Sequence, residues 1–216
     1  METHETGVED DTRPRRTRTI RETAASTLWL TAVAPVALSL LSLALSVYTI
    51  FESNREPEVW LSAPDVVRLA AAERAWFYVQ PRLVSAARND RVAVISGLRL
   101  EVTGPDGGPP ASFLWDEQGT WEYDPVNRGL TWIYQADAAP LVVGPSSPQL
   151  PTGLFEGPPD WRWQAGTYEV TIVAARGQDA DALQTTFAVT LPAETVKLVT
   201  TQPRTLVEVR VNNLGG

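Results

Sequence analysis

The pattern of apolar and polar positions changes character once along the chain, near Phe51. From Thr27 to Phe51 the residues TLWLTAVAPVALSLLSLALSVYTIF carry no charge. At about 1.5 Å per residue, a helix of that length exceeds the roughly 30 Å hydrocarbon core of a bilayer. The pattern therefore predicts one transmembrane helix over 27–51, with Pro35 tolerated because neighbouring hydroxyls and carbonyls take up the freed backbone group. A cleaved secretory signal is the rival. Its apolar core is shorter, about 7 to 15 residues, and here Tyr48, Ile50 and Phe51 continue the run past the only passable cleavage pattern, Ala44 to Ser46.

Beyond Glu58 the period falls to two, the spacing of half-buried strands. Strands are predicted at Glu58 to Leu61 and Val66 to Ala70; a short helix from Pro64 is the alternative for the second of these. Ala75 to Val84 (AWFYVQPRLV) and Val92 to Thr103 (VAVISGLRLEVT) read as a hairpin turning at Arg88-Asn89-Asp90. Pro81 implies an edge or bulge there, and Gly97 marks a bulge or a close approach. Short strands are predicted at Ser112 to Trp115, Thr120 to Tyr123 and Leu130 to Tyr134, then a long loop from Ala136 to about Asp160. Gly166 to Val173 and Leu183 to Leu191 form a second hairpin, turning at Gly177 to Asp181. Glu194 to Thr200 and Thr205 to Val211 are closing strands broken at Gln202-Pro203.

The Gly166-Thr167-Tyr168-Glu169-Val170 start of the second hairpin resembles the immunoglobulin-like and fibronectin-type sandwiches, in which a corner tyrosine fills the sandwich edge while its hydroxyl bonds to nearby backbone. Tyr168 stands at that position. The resemblance covers about a quarter of the chain, lacks the cysteine pair of antibody domains, and carries no catalytic residue across. The layout is also similar to bacterial ectodomains tethered by one N-terminal helix. The expected fold class is thus all-β: an Ig-like antiparallel β-sandwich ectodomain over 58–211 behind one transmembrane helix. The expected flanks are a disordered Arg-rich cytosolic tail over 1–26, a linker over 52–57 and a flexible end over 212–216.

Charge sets the direction. Arg13, Arg15, Arg16, Arg18 and Arg21 precede the span, whereas Glu52, Arg55, Glu56 and Glu58 follow it, which by the positive-inside bias puts the N-terminus in the cytosol and the domain outside the plasma membrane. Within the span, Ser42 and Ser46, with Ser39 one turn earlier, form a small-residue stripe. It admits a second helix, or its hydroxyls bond back to their own helix; the second reading is preferred, and the sequence sets no oligomeric state.

Composition removes most chemistry. A formal net charge of −8 and the lack of a basic stripe outside the tail argue against nucleic acid as a partner. There is no Cys, and the one His is His4 in the tail, so Cys–His and Ser–His–Asp nucleophilic machinery and the common zinc ligands are missing from the exterior. No catalytic, cofactor or metal residues are assigned. Carboxylate pairs at Asp116 with Glu117 or Glu122 with Asp124, and Asp160 beside Trp161 and Trp163, are read as solvated surface groups rather than a glycosidase pair. Asp179 with Asp181 lacks the spacing of a calcium loop.

Aromatic side chains are the remaining signal. Trp121 with Tyr123, Trp132 with Tyr134, and Trp161 with Trp163 each stand two residues apart and so share a strand face. Such rows either fill a core or present a binding surface; core filling is the commoner use. The functional expectation is a non-enzymatic interaction or structural module of a bacterial envelope, whose partner is another envelope protein. The alternative is carbohydrate or cell-wall binding through these rings.

Overall fold

The computed structural model describes residues 19–54, 58–86, 92–126, 129–145, 148–177, 181–202 and 204–213, with side chains from residue 33 onward apart from 54 and 213. The chain divides into two compact units, 1–55 and 56–216.

The first unit is one helix, α1 (Thr19–Asn54). Its stretch Val33–Ser53 has a mean hydropathy of 2.0 and is long and apolar enough to cross a membrane. The helix starts before Thr27 and ends after Phe51, because an unbroken backbone ladder runs past the apolar segment at both ends; residues 19–26 were expected to be disordered and are helical. The rest of the tail and the linker over 55–57 lie outside the described residues. Ser39 donates to the Pro35 carbonyl and Ser46 to the Ser42 carbonyl, each at 2.8 Å. These hydroxyls bond back within their own helix.

The second unit is a closed eight-stranded antiparallel barrel, not a sandwich. In chain order its strands are β1 (Val59–Ser62), β2 (Val66–Ala71), β3 (Ala75–Val79), β4 (Arg82–Ser85), β5 (Ala93–Thr103), β6 (Ala111–Asp124), β7 (Gly129–Asp137), β8 (Leu141–Val143), β9 (Thr152–Glu156), β10 (Gly166–Arg176), β11 (Leu183–Leu191) and β12 (Val207–Asn213). A helix, α2 (Ala193–Thr201), follows β11. The ring runs β6-β9-β3-β2-β12-β11-β10-β5 and returns to β6.

Closure depends on two long strands that change partners along one edge. The first residues of β5 pair with β8 and later ones with β6, while its other edge follows β10. Likewise β6 pairs first with β5 and then with β7, its other edge holding β9. Register shifts at Trp115/Glu117 and Gln118/Gly119 supply the local bend that curls a sheet onto itself. The interior of an eight-stranded barrel is just wide enough for side chains to fill. Here Leu69, Phe77, Leu100, Phe113, Phe155, Ile172 and Phe187 are fully enclosed.

Several expectations are overturned. The sandwich fails because the expected loop over 136–160 contains β9, which pairs with both β3 and β6 and completes the ring. Both faces of β9 are covered, so it shows no alternation and its Gly and Pro neighbours disguise it. Ala75 to Val84 is two strands, split at Gln80-Pro81, and it does not pair with β5. Its partners are β2 and β9 for β3, and β1 for β4. The turn at Arg88-Asn89-Asp90 is outside the described residues. The predicted strands at 112–115 and 120–123 are one continuous β6.

Glu194 to Thr200 is helical rather than extended. Pro192 caps α2, the Val196 N–H donates to the Pro192 carbonyl, and Val199 turns into the core at 2% exposure. Asn212 and Asn213 belong to β12 rather than to a flexible end; residues 214–216 and Pro203 lie outside the described residues.

Other readings hold. Val66–Ala71 is a strand, and β10 and β11 form the predicted hairpin from Gly166↔Leu191 to Ala174↔Leu183. Gly97 sits at a register shift against β10. Tyr168 is 1% exposed; its hydroxyl donates to the Gln164 carbonyl at 2.9 Å and accepts from the Gln164 N–H at 2.6 Å. The local tyrosine arrangement is therefore present in a barrel.

Candidate functional site

The six aromatic residues singled out by their spacing fall into two places. Trp161 and Trp163 are not on a strand. They close one end of the barrel, where Trp163 packs 5.8 Å from Phe77, 6.0 Å from Phe113 and 5.5 Å from Tyr168 between ring centroids. Trp163 is buried and its Nε1 donates to the Ala70 carbonyl at 3.3 Å. Trp161 packs on Phe113 at 5.4 Å, and its buried Nε1 has no partner among the described residues. This pair fills the core.

The other four lie on the β6–β7 ribbon. Trp121 and Trp132 are directly opposed across it and lean onto Tyr78 of β3, outside the barrel wall, at 5.0 and 5.1 Å with tilted, edge-on rings. Ala70 and Leu154 complete this outer cluster. Trp132 Nε1 donates to Glu117 at 3.1 Å, and the Arg68 guanidinium stacks over Trp121 at 4.8 Å in a cation–π contact. Further from the cluster, Tyr123 and Tyr134 are 60% and 53% exposed, and the Tyr134 hydroxyl donates to Asp137 at 2.8 Å.

Burial pushes the Tyr78 hydroxyl pKa up to about 12, with the Glu117 carboxylate adding to the rise. The Tyr134 hydroxyl is raised first by its hydrogen bond to Asp137, and that of Tyr168 first by burial.

Beside the outer cluster of Tyr78, Trp121 and Trp132, a cleft of about 330 Å³ is lined by Arg68, Tyr78, Gln80, Arg82, Trp121 and Asp65, among others. Sequence spacing identified Trp121 but not its neighbours. The remaining lining comes from the loop before β2, from β2, from the segment running from β3 into β4, and from Leu150 and Thr152 at the start of β9, brought together by the tertiary fold.

The carboxylates show no assembled chemistry. Glu117 is engaged by Trp132, Asp124 accepts from the Val126 N–H in a local turn, and Asp116, Glu122 and Asp160 are exposed. Among the described residues no group of three or more His, Cys, Asp or Glu side chains could hold a metal ion; Asp179 is outside them.

The sheet has two ends. One is β8, of three residues, and the other is β7, of nine. Among the described residues β7 pairs with β6 alone, and Leu130, Ile133 and Tyr134 along it are exposed. No family model, curated protein or solved structure matches this chain.

Proposed function

We propose that the barrel is the extracytoplasmic, non-enzymatic interaction domain of a membrane-anchored bacterial envelope protein, and that a protein partner adds to it along β7. The supporting observation is the open edge of that strand. Exposed edges offer a row of unpaired N–H and C=O groups, and proteins usually blunt them with short length, Lys, Pro or a covering element. β8 is blunted by its length. From Gly129 to Asp137 the strand GLTWIYQAD contains no Lys, Arg or Pro and one charge, Asp137. A partner strand laid there gains main-chain hydrogen bonds, with specificity from alternate side chains such as Leu130 and Tyr134.

The test is site-specific photo-cross-linking in native membranes, with benzoylphenylalanine at Ile133 on β7 and, as the comparison, at Val142 on β8. The expected result is a discrete adduct with one partner from position 133 only, lost when Leu130→Lys is added. Equal adducts from both positions, or none from 133 with the protein folded, would remove the reading.

A further inference from the structure

Trp60 and Val84 are directly opposed across β1 and β4, and Val94 and Val142 across β5 and β8. Residues opposed in this way point to the same side of their sheet. Their strand neighbours Val59, Leu83, Ile95 and Val143 are enclosed in one core cluster, so by the two-residue alternation of a strand these four side chains point away from it. All four are exposed, Trp60 at 62% and Val142 at 55%. Since β4 and β8 lie side by side, Trp60, Val84, Val142 and Val94 form one apolar row across neighbouring strands.

Strand composition alone does not account for the row. On β10 and β11 the outward positions are Thr167 opposite Thr190 and Thr171 opposite Thr186, with the hydroxyls of each pair hydrogen-bonded at 3.0 and 2.9 Å. Thr suits a strand much as Val does, and there it faces water. Single exposed apolar side chains need no explanation, whereas a contiguous group marks a surface that meets something other than water.

Polar groups stand only at the rim. Arg82, two residues before Val84 on the same face of β4, is exposed, and Trp60 Nε1 donates to Glu58 at 3.0 Å. An indole with its apolar body free and its N–H engaged is the kind of side chain enriched where bilayer meets water. The row offers apolar area without directed donors or acceptors, which suits a fluid interface. Chain length brings such an interface within reach: Trp60 follows Ser53, the last residue of the apolar span, by seven residues, a stretch that extends about 25 Å at most.

We infer that the row Trp60–Val84–Val142–Val94 is a lipid-contacting face, seated in the headgroup layer of the bilayer that α1 crosses. The inference rests on the membrane-anchor reading proposed above and is independent of the β7 edge.

The test uses the full chain in phosphatidylcholine vesicles. The chain has no Cys, so a nitroxide can be attached singly at Val84→Cys, Val142→Cys, Thr190→Cys on the water-facing wall and Leu43→Cys in α1. Power-saturation EPR then compares collisions with oxygen, which concentrates in lipid, and with a neutral nickel chelate, which stays in water. Labels at 84 and 142 are expected to favour oxygen and the label at 190 the chelate. Adding Trp60→Glu should abolish the oxygen preference at 142 and leave that at 43 unchanged, with thermal unfolding showing the barrel folded. Labels at 84 and 142 that behave like 190 while 43 favours oxygen would overturn the inference and leave the anchor standing. Labels at 84 and 142 shielded from both reagents would overturn it in favour of a protein contact. A label at 43 that favours the chelate would remove the anchor and the inference together.

Discussion

Trp121 and Trp132 stand directly opposite each other across β6 and β7, with ring centroids 5.0 Å apart, and both rest on Tyr78 of a strand outside their ribbon. This contact holds the ribbon against the barrel wall after β6 has parted from β9 at Gly119. Trp132→Ala should therefore loosen the ribbon and cost about 2 to 4 kcal/mol, toward the lower side of large aromatic truncations because the site is only partly buried. Equilibrium urea unfolding measures the loss. Proteolysis should then cut first between Asp124 and Gly129.

Gly119 lies where the register of β6 shifts against β7. A Cβ there would approach the Ile133 carbonyl oxygen to 2.4 Å and the Trp132 ring to 2.6 Å. The carbonyl is backbone and cannot rotate aside, so Gly119→Ala must displace β7. A destabilisation of about 1 to 3 kcal/mol is expected, together with a red shift of tryptophan emission as Trp132 leaves the cluster. A substitution that changed neither would mean that the ribbon is not held as described.

How much of this was legible in the sequence depended on whether a strand has one covered face or two. β10 alternates from Thr167 to Ile172 and β11 over its first half, where one face meets the core and the other meets water, and that alternation made the hairpin legible. β9 is enclosed on both sides, by Phe155 facing inward and Leu154 under the Tyr78 cluster, so no period betrayed it and the closed ring was read as a sandwich. α2 is rich in Thr and Val, which favour strands; its Pro192 cap and the inward Val196 and Val199 decide for a helix through packing that sequence does not display. At the site, spacing paired Trp121 with Tyr123 and Trp132 with Tyr134 but could not supply Tyr78, Arg68 or Arg82. Those residues reach the cleft through the tertiary fold.

Tyr168→Phe deletes a hydroxyl that both donates to the Gln164 carbonyl and accepts from the Gln164 N–H. Water can reach Gln164, whose side chain is exposed, so the loss should be about 1 to 2 kcal/mol rather than the full cost of two orphaned groups. Because both bonds are to backbone, Gln164→Ala should leave stability nearly unchanged. The two variants measured side by side by thermal unfolding separate these effects.

Alkaline pH should weaken the barrel through Tyr78. Its pKa rises from the ordinary 10.0 to about 12 in the folded chain, so between those values the folded state binds more protons than the unfolded one. Stability from this group is fully present below pH 10 and is lost as pH rises through about 12. Tyr168, also raised by burial, acts in the same direction. Unfolding free energy followed from pH 9 to 12 should fall, and Tyr78→Phe should make that descent shallower. An identical slope in the variant would show that Tyr78 ionises as freely folded as unfolded.

The proposed membrane anchor predicts that α1 is retained in the mature protein. The span Val33–Ser53 runs past the Ala44 to Ser46 pattern, and on this proposal the flanking arginines would keep the N-terminus on the cytosolic side. The expected product in cells is a chain that keeps α1 and resists alkaline carbonate extraction from membranes. Protease added outside intact spheroplasts should degrade the barrel and spare an epitope tag at the N-terminus. A soluble, shortened chain beginning near Ser46 would identify the helix as a cleaved leader. Protection of the barrel instead of the tag would reverse the topology and put the β7 edge before cytosolic partners.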